Sequence, residues 1–269
     1  MIRRLMIAPL AAAFILVLGF DPAVAQDSSA RSNAQHFTDV QAAAFSKTIE
    51  RDLAAKGARL AMVFRTGRTR DSLPDGIAYT HGAFWVHRTI STDSGPAAGY
   101  AVYNLYAGDG KAWPTIESRL VQDWPLDFVR GSKVDDVAVI IPSPEMQRRI
   151  IAVIDSQTYQ RLHNPDYALV SNPFAPKYQN CTAFLLDVVA AAAWQTDEPR
   201  QILADLRAHF TPTTVKAGGL VRLFGPLADA RLRNDDQKGP VRTATYESLV
   251  AFMRDNGLLQ EAYVINYTP

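Results

Sequence analysis

One cysteine and five histidines occur in the 269 residues, and the chemistry open to the chain turns on whether a histidine meets that cysteine. Cys181 follows Asn180, whose side-chain oxygen suits a helix N-cap. Phe184, Leu185, Val188, Val189 and the alanine run to Trp194 then read as a buried helix. Cys181 therefore belongs to the first helical turn, where the positive end of the dipole favours thiolate, the nucleophilic form. The alternative for Cys181 is a small, inert, buried apolar residue.

Of the histidines, His36 precedes a helix, His209 ends one where a cation suits the dipole, and His163 lies in a connection. His81 differs: it interrupts an apolar strand and is followed by Gly82, which permits close approach by another group. His87 shares its strand face, but six residues along a strand is roughly 20 Å, too far for one shared metal ion. No Cys/His spacing resembles a zinc site, so neither metal nor cofactor is expected. A cysteine nucleophile needs a base in hydrogen-bond reach and a group that orients the base. His81 is the candidate base. Asn104, a lone polar residue in the return strand, is the candidate orienting group, subject to a register that flips faces with a one-residue slip. The Tyr178 hydroxyl and the backbone N–H of Cys181 are candidates to stabilise an oxyanion.

The elements that must position these groups can be read in order. His36 to Lys56 predicts a helix capped by Thr38 and stopped by Gly57. Ala58 to Phe64 is a strand, and Arg65 to Arg70 a basic, solvated loop without phosphate-loop spacing. Ile77 to Thr89 and Gly99 to Tyr106 form an antiparallel hairpin. Thr115 to Val121 is a short helix, Val134 to Ile141 a strand, and Pro144 to Leu162 an amphipathic helix. After the Cys181 helix come a helix from Pro199 to His209, capped by Asp197, and another ending at Asn256 that Thr245 caps and Gly257 stops. A last strand covers Ala262 to Tyr267; Leu220 to Leu227 is apolar but fits no single type. Helices and hairpins mix without strict βαβ alternation, so the fold class is α+β, an antiparallel sheet with packed helices.

Residues 1–25 read as a secretory signal peptide: Arg3 and Arg4, an apolar run from Leu5 to Phe20, and Ala23-Val24-Ala25 before Gln26. The apolar run is short for a membrane anchor. The expected location is thus periplasmic or secreted, with no stable membrane span after cleavage. The 28 basic residues less Arg3 and Arg4 leave 26, and the 27 acidic residues less Asp21 leave 26. A mature charge near zero argues against a nucleic-acid partner. A lone cysteine in an oxidising compartment is either buried and inert or kept as a thiol for use. Residues 26–269 are read as one α+β domain, with a core over about 58–194 and an extension over about 195–269.

Tyr79-Thr80-His81-Gly82, a polar residue on the next strand, and Asn180-Cys181-Thr182 opening an apolar helix together resemble a circularly permuted papain-like fold. The relatives are the permuted NlpC-type cell-wall peptidases and the lecithin:retinol acyltransferase-like proteins, in which the histidine precedes the cysteine. With Phe64-Arg65-Thr66-Gly67, Asn172-Pro173-Phe174 and Tyr178-Gln179 added, the chain resembles more closely a bacterial family of exported proteins known as a domain of unknown function. The resemblance implies Cys181 as nucleophile, His81 as general base and Asn104 as orienting group. Two departures stand out: the Asp-Cys-Ser-Gly sequence of unpermuted cell-wall enzymes is absent, and Leu206 to Pro269 has no counterpart.

Three functions follow as expectations. The first is an exported thiol hydrolase or acyltransferase acting on an amide or ester in the cell envelope, its substrate a peptide, lipid or glycan conjugate. The second is a catalytically inactive papain-like module binding an envelope peptide or glycan through the aromatic residues of the hairpin. The third is an assembly protein without a ligand groove. The signal assignment is checked directly: the exported protein should begin at Gln26 on N-terminal sequencing, and a retained Met1 with tight membrane association would identify an anchor instead.

Overall fold

A computed structural model describes residues 35–92, 95–108, 117–216 and 231–269. The signal segment, the lead-in to Gln35, Leu220 to Leu227 and the first residues of the helix expected at Thr115 lie largely or wholly outside these.

Among the described residues a six-stranded antiparallel sheet runs in the order β4 (Ser118–Asp123), β3 (Gly95–Ala107), β2 (His81–Thr92), β1 (Leu60–Arg65), β5 (Asp136–Pro142) and β8 (Leu259–Asn266). Helices cover both faces. Ala61, Val63, Ala83, Trp85, Val102 and Val139 point to the face covered by α1 (Asp39–Ala55) and α2 (Pro125–Arg130). Leu60, Met62, Phe64, Phe84, Val86 and Ile140 point to the other, beneath α3 (Pro144–Ile154), α5 (Cys181–Trp194) and α7 (Tyr246–Asp255). Burial on both faces is why β1 and β5 read as continuous apolar runs without alternation. The remaining elements are α4 (Gln157–Arg161), α6 (Pro199–His209) and a small ribbon of β6 (Thr213–Val215) and β7 (Val241–Thr243).

Three of the four expected N-caps fall where the sequence places them. Thr38 and Thr245 each form a capping box, and Asn180 accepts from the Ala183 N–H at 2.9 Å. Gly257 takes φ +67° just beyond α7, a left-handed conformation that suits glycine. Helix α5 is apolar all round, with eleven of its fourteen residues buried. Each buried Phe, Leu or Val contributes roughly 1.5–3 kcal/mol, so this helix is anchored by packing and its first turn is held by its cap.

Four expectations are corrected. Residues 118–121, expected to be helical, lie in β4, because β3 offers an unpaired edge from Val102 to Ala107 that captures them. The helix expected from Pro144 to Leu162 breaks at Asp155, where Ser156 caps a new helix by accepting from Thr158. Asp197 does not cap α6; Glu198 takes that position without a side-chain bond, and Asp197 pairs with Arg161. Arg65 is no solvated loop residue but the fully buried end of β1, its guanidinium donating to the Gly131 carbonyl at 2.6 Å and lying over the Phe128 ring. The six-residue α2 and the three-residue β6 and β7 carry too little pattern to be read from sequence.

Gly82 has no room for a side chain between the Phe64 ring of β1 and Leu185 of α5. A Cβ there would stand 2.6 Å from the Phe64 ring and 2.8 Å from Leu185. Overpacking of this kind typically costs about 1–3 kcal/mol. Gly82→Ala should therefore lower the urea midpoint by that free energy without changing the slope; an unchanged midpoint would show that the contact yields freely.

Candidate active site

Antiparallel strands satisfy each other's backbone groups until they part. The β2–β3 ladder runs from Thr92–Gly95 to Phe84–Tyr103 and stops there, while β3 continues against β4 to Ala107–Ser118. His81 and Gly82 keep their β1 partners, Arg65 and Phe64, but have no ladder partner in β3. The first turn of α5 meets the sheet here. His81 and the Gly82 N–H both act on the Cys181 thiol here, favouring its thiolate. The Cys181 sulfur also lies 3.8 Å from the Thr80 carbonyl oxygen and from the Thr182 hydroxyl.

The segment entering α5 is fixed on all sides. The Gln179 amide accepts from Asn164 N–H at 2.9 Å and donates to the Leu162 carbonyl at 2.9 Å and to Asp187 at 2.8 Å. The Asn180 amide donates to the Leu169 carbonyl and to the Thr243 hydroxyl, and its N–H bonds Ser171. Cys181 is thus delivered to His81 by bonded backbone, although 100 residues separate them in sequence.

Behind His81 lies a buried polar chain. His81 Nε2 is 3.0 Å from Asn104 Oδ1. Asn104 Nδ2 donates to the Tyr106 hydroxyl at 3.0 Å and lies 3.4 Å from Asp123 Oδ2. The Tyr106 hydroxyl donates to the same carboxylate oxygen at 2.8 Å, and Asp123 Oδ1 accepts from Trp124 N–H. The His81 ring stacks on Tyr106, with centroids 5.3 Å apart and planes 6° from parallel, and Phe128 closes the other side.

These bonds have a direction. A carboxylate only accepts, so Tyr106 and Asn104 must turn donors towards Asp123. The amide of Asn104 then presents its oxygen to His81, which must carry the proton on Nε2 and leave Nδ1 to the thiol. Burial pushes the Asp123 carboxyl up to about 6, against the pull of the Tyr106 hydroxyl and the Trp124 N–H. Above that pH the carboxylate form prevails and the direction is set; a proton on Oδ2 would compete with the Tyr106 donor. For Cys181, burial pushes the thiol up, but the charge of a protonated His81 and its hydrogen bond, the Gly82 N–H and the Thr182 hydroxyl outweigh it. The net direction is down from the ordinary thiol value, towards thiolate beside imidazolium.

Of the four residues singled out in the sequence, Cys181, His81 and Asn104 come together. Tyr178 does not join them. Its ring is sandwiched between Lys177 and Arg233, at 5.2 and 5.1 Å from the ring centroid, and it lines a different cavity from the one that reaches Cys181. No side-chain donor then stands out for an oxyanion, and the free N–H groups at the start of α5 remain for that role. Asp123 was missed. Its signal is a carboxylate opposite Val102, on the face shared with Asn104 and Tyr106, and it shows only once β4 is recognised as a strand.

Cys181 opens to a cleft of about 60 Å³ lined by Thr80, Thr182, Asn180, Tyr167, Thr243 and Arg231, among others. A larger cavity of about 260 Å³ lies between α5, α6 and the 163–179 connection, and neither Cys181 nor His81 lines it. Among the described residues no group of three His, Cys, Asp or Glu is gathered as metal ligands, and no helix is long and apolar enough to cross a membrane.

A family model described as an uncharacterized protein conserved in bacteria, DUF2145, matches residues 52–253. No curated protein and no solved structure matches the chain.

The direction of the polar chain can be read by nitrogen NMR. In Cys181→Ala, which removes the ion pair, ¹⁵N-labelled His81 at pH 8 should be the Nε2–H tautomer. Asp123→Ala added to it should let the Nδ1–H form appear, whereas Asp123→Asn, which keeps an acceptor for Tyr106, should largely hold the first. A predominant Nδ1–H tautomer without any change at Asp123 would contradict the assignment.

Proposed function

The chain belongs to the bacterial DUF2145 family, whose description carries no activity, and from the site itself we propose a thiol hydrolase or acyltransferase acting on an amide or ester. One observation carries this reading: a lone buried cysteine at a capped helix N-terminus has its thiolate favoured by a histidine that an asparagine orients. A structural cysteine needs none of these partners, and burial alone would move its pKa up. The order of histidine before cysteine, with the orienting residue on the neighbouring strand, supports a permuted papain-like arrangement of the NlpC type.

The steps follow from the geometry. The Cys181 thiolate attacks the carbonyl carbon, and the oxyanion that forms is met by N–H groups at the start of α5. Protonated His81 gives its proton from Nδ1 to the departing amine or alcohol, leaving a thioester on Cys181. Water or an acceptor amine then attacks the thioester, His81 takes up its proton, and the thiolate leaves. Asn104 keeps the imidazole turned towards sulfur throughout. A water needs about 10–15 Å³ in this measure, so the cleft of about 60 Å³ favours a narrow, extended substrate over a bulky one.

The binding-module reading rested on the hairpin aromatics. Phe84 and Trp85 are fully buried, and Tyr79, Tyr100 and Tyr106 nearly so, which makes them core and leaves that reading with less support. Export and an envelope substrate rest on the signal segment alone and are part of the proposal.

Alkylation of the folded protein by iodoacetamide against pH tests the reading. Labelling should be brisk and its rising limb should lie below the free-thiol value of about 8.5. His81→Ala should move the limb up and cut the rate at pH 6 by at least about tenfold, since each unit is tenfold in thiolate. Asn104→Ala should act in the same direction, but less. A thiol that labels only after denaturation, or a profile indifferent to His81, would sink the proposal.

A further inference from the structure

The larger cavity contains a carboxyl with no cation beside it. Asp187 is the only ionisable residue between Cys181 and Trp194 on α5, a helix otherwise largely buried. Asp187 is half-buried and lines the cavity. Its Oδ2 accepts from Gln179 Nε2 at 2.8 Å, and Oδ1 has no hydrogen-bond partner among the described residues. Burial pushes the carboxyl up to about 7, with the Gln179 bond pulling the other way, and no cation contributes.

A buried carboxyl is ordinarily paired or multiply hydrogen-bonded. One neutral amide leaves the ionised form under-satisfied. Leu162, Ile202, Leu203 and Leu206 supply an apolar part of the lining, which suits an alkyl or ring body. The other ionisable groups on the cavity do not supply the missing charge. Arg161 is engaged by Asp197 and Thr158, and His163 is bonded to Ser118 with burial lowering its pKa. Tyr178 is held under Lys177 and Arg233, and Arg200 is exposed at the mouth.

We propose that this cavity binds a small organic cation, an ammonium group on an apolar body, with Asp187 as its counter-ion. A protonated amine would occupy the free Oδ1 and make the carboxylate the favoured form in the complex. The site is distinct from the Cys181 cleft and stands whether or not Cys181 turns over. Its affinity should depend on pH in one direction. Below about 7 the carboxyl carries a proton that must leave before the cation pairs, so binding weakens as pH falls from 8 to 6.

Titration calorimetry of the mature chain with n-hexylamine, 1-hexanol and hexanoate decides the matter. Hexylamine should bind at pH 8 at least about tenfold more tightly than the alcohol, a difference of about 1.4 kcal/mol, and hexanoate should not bind. Asp187→Asn, which keeps an acceptor for Gln179, should reduce hexylamine to the level of hexanol. Leu203→Trp, which fills the cavity and keeps the carboxyl, should abolish amine binding too. Iodoacetamide labelling of Cys181 should be unchanged in both variants, so that a failure here is separable from a failure at the thiol. Absence of hexylamine binding, equal binding of amine and alcohol, or full binding by Asp187→Asn would each overturn the proposal.

Discussion

The site exists because two strands part company. Up to Phe84 and Tyr103, β2 and β3 satisfy each other; beyond that pair β3 stays with β4 while β2 stays with β1. Backbone and side-chain groups that a continued ladder would consume are left facing the seam. The Gly82 N–H and His81 are left to act on the thiol of α5, and Asn104 and Tyr106 meet the His81 ring from the strand that departed. A sheet zipped to its end would have no place for the cysteine.

Filling such a seam with polar groups is costly unless every one is bonded. The chain from His81 through Asn104 and Tyr106 to Asp123 meets that requirement with a single acceptor-only terminus. Orientation therefore originates at a carboxylate on β4, two residues removed from the imidazole it orients. On the opposite side the apolar girth of α5 fixes where the sulfur stands, and the hydrogen-bonded run from Gln179 to Asn180 fixes how the helix begins. Packing sets the position and hydrogen bonding the direction.

Much of this was legible in the sequence because local rules govern it. Asn180 announces a helix start, an apolar run identifies a buried helix, and a histidine or asparagine alone in an apolar strand stands out. What was not legible depends on partners distant in the chain. The residues around Leu120 have weak strand preference and become β4 only because an edge of β3 awaits them, so Asp123 stayed hidden. Arg65 reads as surface until Phe128 and the Gly131 carbonyl are seen to enclose its guanidinium. Tyr178 lies near Cys181 in sequence, but its direction is set by Lys177 and Arg233, the latter more than fifty residues away. On a helix apolar all round, periodicity says nothing about which side faces a cavity, and so Asp187 gave no sign of what it lines.

The order of the sheet also bears on how the chain is made. β5 lies between β1 and β8, so among the described residues its outer edge is paired by residues 259–266, more than 100 residues later in the chain. A polypeptide emerging amino-terminus first can pair the first five strands early, yet one flank of that sheet, rich in Val and Ile, stays open until residues 259–266 have emerged. Open edges of this composition recruit other chains. Loss of the last strand would thus act first on yield and solubility, and only secondarily on the distant seam where the thiol lies.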